Sequence, residues 1–353
     1  MADWQDNLIK ITPYTPGEQP EIEEIIKLNT NENPYPPAPG VLLALQEFDA
    51  DRLRLYPNVS AFPIVKALAE YYGRSNDEVF VGVGSDDVLA TAFRAMFNSG
   101  KPVLFPNITY SFYDVWADLY KIPYECPKLD ENFRIRKEDY YRENGGIVIA
   151  NPNAPTSIAE SRDFIEDIVK HNPGSVVIVD EAYIDFGGES ALPLIDKYEN
   201  LLVVQTFSKS RSMAGMRIGY AFGSKRLIRA LNDVKNSYNS YTMNMPSAIA
   251  GPEAVKDRAY FEEHVKMIVR TREWTKKELE KLGFTVLDSS TNFLFATHPQ
   301  NDASEIFEYL RENKVFVRYF NKPLLKDYLR ITIGTDEQMK TFIALLQSKL
   351  AKK

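Results

Sequence analysis

A lysine, two arginines and several hydroxyls fall within one short stretch, Thr206-Phe-Ser-Lys-Ser-Arg-Ser-Met-Ala-Gly-Met-Arg-Ile-Gly-Tyr220. Lys209 follows the apolar run Asn200-Leu-Leu-Val-Val-Gln-Thr-Phe207, which reads as a short buried strand. It therefore stands just past a strand end, where open α/β sheets place their ligands. A lysine held against apolar surface sheds part of its hydration, which suits its amine to Schiff-base formation with an aldehyde. Ser208 and Arg217 add a hydroxyl and a charged fork, both suited to a phosphate. Taken alone, the Ser-Lys pair also fits a solvated turn.

A second stretch, Ser175-Val-Val-Ile-Val-Asp-Glu-Ala-Tyr183, reads as another buried strand and ends in a carboxylate at Asp180. A carboxylate at the mouth of a parallel sheet is costly to bury unless it meets a cation. The protonated pyridine nitrogen of pyridoxal phosphate is such a cation, and an aspartate beside it strengthens the cofactor's electron sink. Lysine, aspartate, arginine and serine then share one explanation.

With these residues in place, the chain resembles the fold-type I pyridoxal-phosphate aminotransferases, and within them the histidinol-phosphate aminotransferases. The resemblance runs from Ile11-Thr-Pro-Tyr14 to Tyr328-Leu-Arg-Ile-Thr-Ile-Gly-Thr335. Between them, in the family's order, come Leu28-Asn-Thr-Asn-Glu-Asn-Pro-Tyr35, Tyr56-Pro57, Gly82-Val-Gly-Ser-Asp86, Asn151-Pro-Asn-Ala-Pro-Thr156, Asp180-Glu-Ala-Tyr183 and the Ser208-Lys209 loop. Several are weak singly; their order makes them specific.

Glu78-Val-Phe-Val-Gly-Val-Gly-Ser-Asp-Asp-Val-Leu-Ala90 reads as strand, glycine turn and helix, a geometry that offers backbone N–H groups and a positive helix end to a phosphate. We expect a phosphate monoester at Gly84, Ser85 and Asp86. The same stretch half-matches a dinucleotide fingerprint, but Asp87 stands where the third glycine belongs, and a carboxylate disfavours a pyrophosphate. The resemblance assigns the remaining roles. Tyr110 stacks on the pyridine face, Tyr183 donates to the cofactor's phenolic oxygen, and Tyr56 reaches across a dimer interface to the other subunit's cofactor phosphate. Tyr14, Arg318 and Arg330 contact substrate, the arginines through its anion. Relatives carry Asn-Pro-Thr-Gly where this chain has Ala154-Pro-Thr-Ser157, so Asn153 is the nearest candidate for the missing donor.

Composition excludes other classes. A net charge of −7 without a basic stripe argues against nucleic acid. The single cysteine, Cys126, rules out an intramolecular disulfide and fits a reducing compartment. No apolar run approaches membrane-spanning length and no basic-then-apolar leader opens the sequence, so we expect a cytoplasmic protein. His171, His264 and His298 are scattered, and no metal site is expected.

Strands alternating with amphipathic helices from about residue 40 to 223 predict an α/β fold with a mostly parallel sheet. We expect an N-terminal arm over residues 1–40 without a periodic element, packed on the small domain or a partner subunit. A large cofactor domain over 41–245 and a small α+β domain over 246–353 follow, the latter opening on a helical stretch from Ala248 to Leu282. The implied reaction is transfer of the amino group of L-histidinol phosphate to 2-oxoglutarate by a homodimer, with Lys209 as general base. Aromatic amino acids are the alternative substrate, and a threonine-phosphate decarboxylase or a non-catalytic cofactor-binding regulator are further readings.

Overall fold

The computed structural model describes residues 3–20 and 24–351. Its central sheet joins seven strands: β2 (Val79–Gly82), β3 (Val103–Leu104), β4 (Tyr124–Glu125), β5 (Gly146–Ala150), β6 (Val177–Asp180), β7 (Leu201–Thr206) and β8 (Gly219–Gly223), in the spatial order β2-β8-β7-β6-β5-β3-β4. From β7 to β4 every pairing is parallel; β8 runs antiparallel to both its neighbours. Every residue of β5, β6 and β7 is buried, because helices cover both faces. Alternation sends Ile147, Ile149, Val177, Val179, Leu201 and Val203 into one core, and Val148, Ala150, Ile178, Leu202 and Val204 into the other. Registers of Ala150 with Asp180 and of Asp180 with Val204 bring the carboxyl ends of these strands level. That ledge carries the chemistry.

A second sheet joins β1 (Ile26–Leu28), β9 (Thr285–Val286), β10 (Phe293–Thr297), β11 (Val315–Tyr319) and β12 (Tyr328–Thr332) in the order β1-β11-β12-β10-β9, and each pairing from β11 to β9 is antiparallel. Its edge strand β1 pairs in parallel with β11. The arm was expected to lack a periodic element; three residues give too short a run for periodicity to show, and the pairing partner lies nearly 300 positions away in sequence.

The helical stretch predicted from Ala248 to Leu282 is two helices, Met245–Lys256 and Arg258–Lys281. Asp257 divides them: its side chain accepts the Tyr260 N–H and caps the second.

Candidate active site

A cavity of about 580 Å³ opens where the ledge of the central sheet faces β11, β12 and the arm. Eleven of the fourteen residues singled out above line it.

Lys209, one loop beyond β7, points its Nζ at the Thr30 carbonyl, 3.3 Å away. Asn33 steadies that loop, its amide donating to the carbonyls of Lys209 at 3.0 Å and Ser210 at 3.2 Å. Two residues of the arm therefore hold the lysine from opposite ends.

Asp180 ends β6 and is fully buried. Its Oδ2 accepts the Tyr113 hydroxyl at 2.8 Å and its Oδ1 the Ala182 N–H at 3.2 Å. Burial pushes the carboxyl up to about 6 in spite of these donors, with Asp86 adding to the rise and Lys209 opposing it. It is a carboxylate short of a cation.

The expected phosphate cradle forms at the start of the helix Ser85–Met96. Gly84 precedes it at φ +88°, a conformation that side chains rarely adopt, and a Cβ there would sit 2.5 Å from Arg217 Nη2. A Cβ on Gly219 would lie 2.2 Å from the Gly84 backbone, so β8 presses on the turn and brings Arg217 over it. The guanidinium meets Asp86 Oδ2 at 3.4 Å, and Asp87 closes the turn by accepting the Val83 N–H at 2.8 Å. The first amides of the helix have no intrahelical partner and face the same space. Ser208 lies nearby, its Oγ accepting the Thr206 hydroxyl at 3.0 Å.

Tyr110 lines the cavity and donates to Asp86 Oδ1 at 2.8 Å; burial, then the Asp86 charge, holds its hydroxyl well above the usual range. Tyr14 stacks on Phe112 with centroids 4.2 Å apart and stands 6.3 Å from the Tyr110 ring. Tyr183 accepts a hydrogen bond from Asn31 Nδ2 at 2.9 Å, and its ring centroid is 5.7 Å from Lys209 Nζ.

Arg318 and Arg330 are cross-strand partners on β11 and β12 and form a basic wall with Phe320, 5.3 and 5.5 Å from the two guanidinium carbons. Arg318 reaches the carbonyls of Thr15 and Pro16 in the arm. Arg330 donates to the Asn29 carbonyl at 2.9 Å, yet its Nε is buried without a hydrogen-bond partner. Burial lowers its proton affinity, and the Arg318 charge adds to that.

Three of the singled-out residues lie elsewhere. Gly84 forms the floor beneath Arg217. Asn153 is turned away from the cavity: its Nδ2 donates to the Ile108 carbonyl and Thr156 Oγ1, both at 3.0 Å, and its Oδ1 accepts from Thr109 at 2.8 Å. Ala154 and Pro155 line the wall instead, so the position that faces inward here has no donor side chain. Tyr56 is 78% exposed and stacks on Tyr241 at 4.5 Å, outside the cavity of its own chain.

Sequence reasoning missed Tyr113, Asn31 and Asn33. Asn31 and Asn33 lie inside the Leu28–Tyr35 motif and Tyr113 stands three residues beyond Tyr110; their signal was being polar or aromatic near a predicted site residue, and only the fold gives their direction.

The family described as aminotransferase class I and II matches residues 23–346. The chain belongs to that family. A histidinol-phosphate aminotransferase of Lactococcus lactis subsp. cremoris is 52% identical over 350 residues, covering 99% of this chain and 98% of that relative. One from Clostridium botulinum is 52% identical over 344 residues, 97% of each chain. Among solved structures, a histidinol-phosphate aminotransferase from Sinorhizobium meliloti in complex with pyridoxal-5'-phosphate superposes with a TM-score of 0.84 at 24% identity, over 93% of this chain and 91% of that one. The fold-type I architecture is therefore that of this aminotransferase too.

The residues present fit that cofactor. The buried Asp180 has an open side on the cavity, the Gly84 turn admits the Arg217 guanidinium where a Cβ would clash with it, and Lys209, Arg318 and Arg330 line the same cavity. Among the described residues no group of His, Cys, Asp and Glu is arranged to hold a metal ion.

Proposed function

We propose that this aminotransferase moves the amino group of L-histidinol phosphate to 2-oxoglutarate, giving imidazole-acetol phosphate and glutamate in histidine biosynthesis. Relatives that share half its residues over nearly the whole chain carry that name. The observation that carries the substrate assignment is the arginine wall, where Arg330 keeps a buried N–H free beside Arg318. Planar guanidinium forks pair two oxygens of a phosphate at once.

Pyridoxal phosphate, when bound, supplies the electron sink for the carbanion that forms at the substrate's amine-bearing carbon. Asp180 is the partner of the ring nitrogen; a cation there repays the burial that now raises its carboxyl. Lys209 would anchor the cofactor, and its Nζ would take the proton from the substrate carbon. Arg217, Ser208 and the amides at Ser85 and Asp86 would hold the cofactor phosphate, Tyr110 would pack on the ring, and Tyr183 would donate to the phenolic oxygen. Tyr14 closes the cavity on the arm side.

A second copy of this chain completes the site. Leu53, Leu55, Tyr56, Phe62 and Tyr238 are large apolar or aromatic side chains left exposed, of the kind that a partner surface covers. Of these, Tyr56 crosses to the partner's cofactor phosphate. The arm over 1–40, large domain over 41–245 and small domain over 246–353 are the units that such a dimer arranges. No helix among the described residues is long and apolar enough to cross a membrane, and we place the enzyme in the cytoplasm.

Titration of the cofactor-loaded protein with L-histidinol phosphate, without an oxo acid, should bleach the visible absorption band; 2-oxoglutarate should restore it. A band that only phenylalanine or tyrosine bleaches would make this an aromatic aminotransferase. Lys209→Ala should lower turnover by at least about 10³-fold, since anchor and base are lost together.

A further inference from the structure

Asn31 is 1% exposed and held in the left-handed region at φ 56°. Its carbonyl accepts from Asn292 Nδ2 at 2.9 Å, and its own N–H donates to Thr332 Oγ1 at 3.0 Å. The Thr332 hydroxyl donates in turn to Asn31 Oδ1 at 2.9 Å, the only acceptor for that buried proton among the described residues. These bonds leave Nδ2 one direction, toward the Tyr183 oxygen 2.9 Å away.

A phenol that accepts one hydrogen bond must send its own proton elsewhere. Tyr183 lines the cavity, and at the neighbouring wall position Ala154 offers no donor while Asn153 is committed to Ile108 and Thr156. We propose that Asn31 is a positioning residue: it occupies the Tyr183 lone pair, turns the Tyr183 O–H into the cavity, and so makes Tyr183 the one side-chain donor to the cofactor's phenolic oxygen in this chain. The inference rests on the cofactor reading given above. Thr332, at the end of β12, extends the relay to the strand that bears Arg330, so the substrate-anion wall and the donor share a support.

The test follows the visible band of the reconstituted protein with pH, which reports proton affinity at the nitrogen joining Lys209 to the cofactor. A donor to the phenolic oxygen stabilises the deprotonated form, so losing it raises the midpoint. Tyr183→Phe should raise it by about one pH unit, a tenfold change in proton affinity. Asn31→Asp keeps the shape but accepts instead of donating, and recaptures the Tyr183 proton; its midpoint should rise at least as far as that of Tyr183→Phe. In the Tyr183→Phe background the same substitution should move the midpoint far less, leaving only the added charge. Equal shifts in both backgrounds would overturn the proposal. Asn31→Gly, which keeps the left-handed backbone accessible, repeats the cycle should Asn31→Asp fold poorly, and a shift unchanged by Tyr183→Phe there would overturn it as well. A wild-type protein that shows no band after reconstitution overturns the cofactor reading itself, a result distinct from additivity between Asn31 and Tyr183.

Discussion

Asp180 and Glu181 are adjacent, both fully buried, and both pushed up by burial, to about 6 and about 7. Their surroundings differ in completeness. Glu181 faces away from the cavity into a closed network, taking the Ser190 hydroxyl at 2.7 Å, the Ala191 N–H at 2.6 Å and the Gln205 amide at 2.7 Å, with Tyr72 and Tyr220 donating to Gln205 behind it. Asp180 has two donors and an open side on the cavity. A buried carboxylate enclosed by three donors is architecture; one with a side left open on a cavity marks where a ligand must bring the missing charge.

Substitution should split the pair. Asp180→Asn removes the partner of the ring nitrogen and should lower turnover by about 10³-fold, through loss of charge stabilisation in the carbanionic state. The same change should stabilise the cofactor-free protein. The folded carboxyl stands above its ordinary value of 3.8, so between pH 3.8 and about 6 the native state holds a proton that the unfolded chain has released. Stability from this group is thus present below that window and lost as pH rises through it. The gain from Asp180→Asn should be near zero at pH 3.5, grow through the window, and level off above it at roughly 1–3 kcal/mol. Denaturant melts of both apoproteins at several pH values would measure it, and a loss of stability at neutral pH would contradict the reading of Asp180 as short of a cation.

The arginine wall offers the next effect in size. Arg330→Ala should raise the KM for histidinol phosphate by about 10²-fold and Arg318→Ala by about tenfold, because Arg330 is the more buried and charge-assisted hydrogen bonds strengthen with desolvation. Cofactor affinity, read from the visible band, should stay unchanged in both. Equal loss of cofactor would move these residues from the substrate side of the comparison to the cofactor side.

Glu181→Gln should part from Asp180→Asn in turnover. In stability two effects oppose each other: an amide nitrogen in place of one carboxylate oxygen meets donors from Ser190, Gln205 or Ala191, at a cost of about 1–2 kcal/mol, while burial holds the folded carboxyl up at about 7 against an ordinary 4.5, so a gain from removing the charge grows between those pH values and offsets the cost at neutral pH. Turnover by the fraction that remains folded should be close to that of the parent.

How much of this was legible beforehand follows from what each signal depends on. The strands β6 and β7 announced themselves as apolar runs, and Asp180 and Lys209 as polar residues at or just past their ends, since a strand end fixes where a side chain must emerge. The edge strand β1 was hidden: three residues carry no period, and its place depends on pairing with Val315–Val317. Asn31 stands within a recognised segment and Tyr113 three residues from a recognised tyrosine, but their value lies in the direction of one hydrogen bond each, which no local pattern encodes. Asn153 shows the converse. Its position beside Ala154 suggested a donor, but in a loop of this kind adjacent residues face opposite ways, and the amide went to the loop itself.

That last case yields the smallest effect and the cleanest separation. The Asn153 side chain ties Ile108 and Thr109, after β3, to the loop after β5 through two hydrogen bonds, and a third, to Thr156 Oγ1, stays within that loop. Asn153→Ala leaves the Ile108 carbonyl and the Thr109 and Thr156 hydroxyls to find other partners, which should cost about 1–3 kcal/mol of stability. The pH midpoint of the visible band should not move, because nothing on Asn153 faces the cavity; a rise toward the value for Tyr183→Phe would mean that the amide turns inward when the cofactor binds. Restoring an asparagine at the inward position tests the same geometry from the other side: Ala154→Asn should lower the midpoint by a few tenths of a unit, less than Tyr183→Phe raises it, because the phenolic oxygen would then share its lone pairs between two donors.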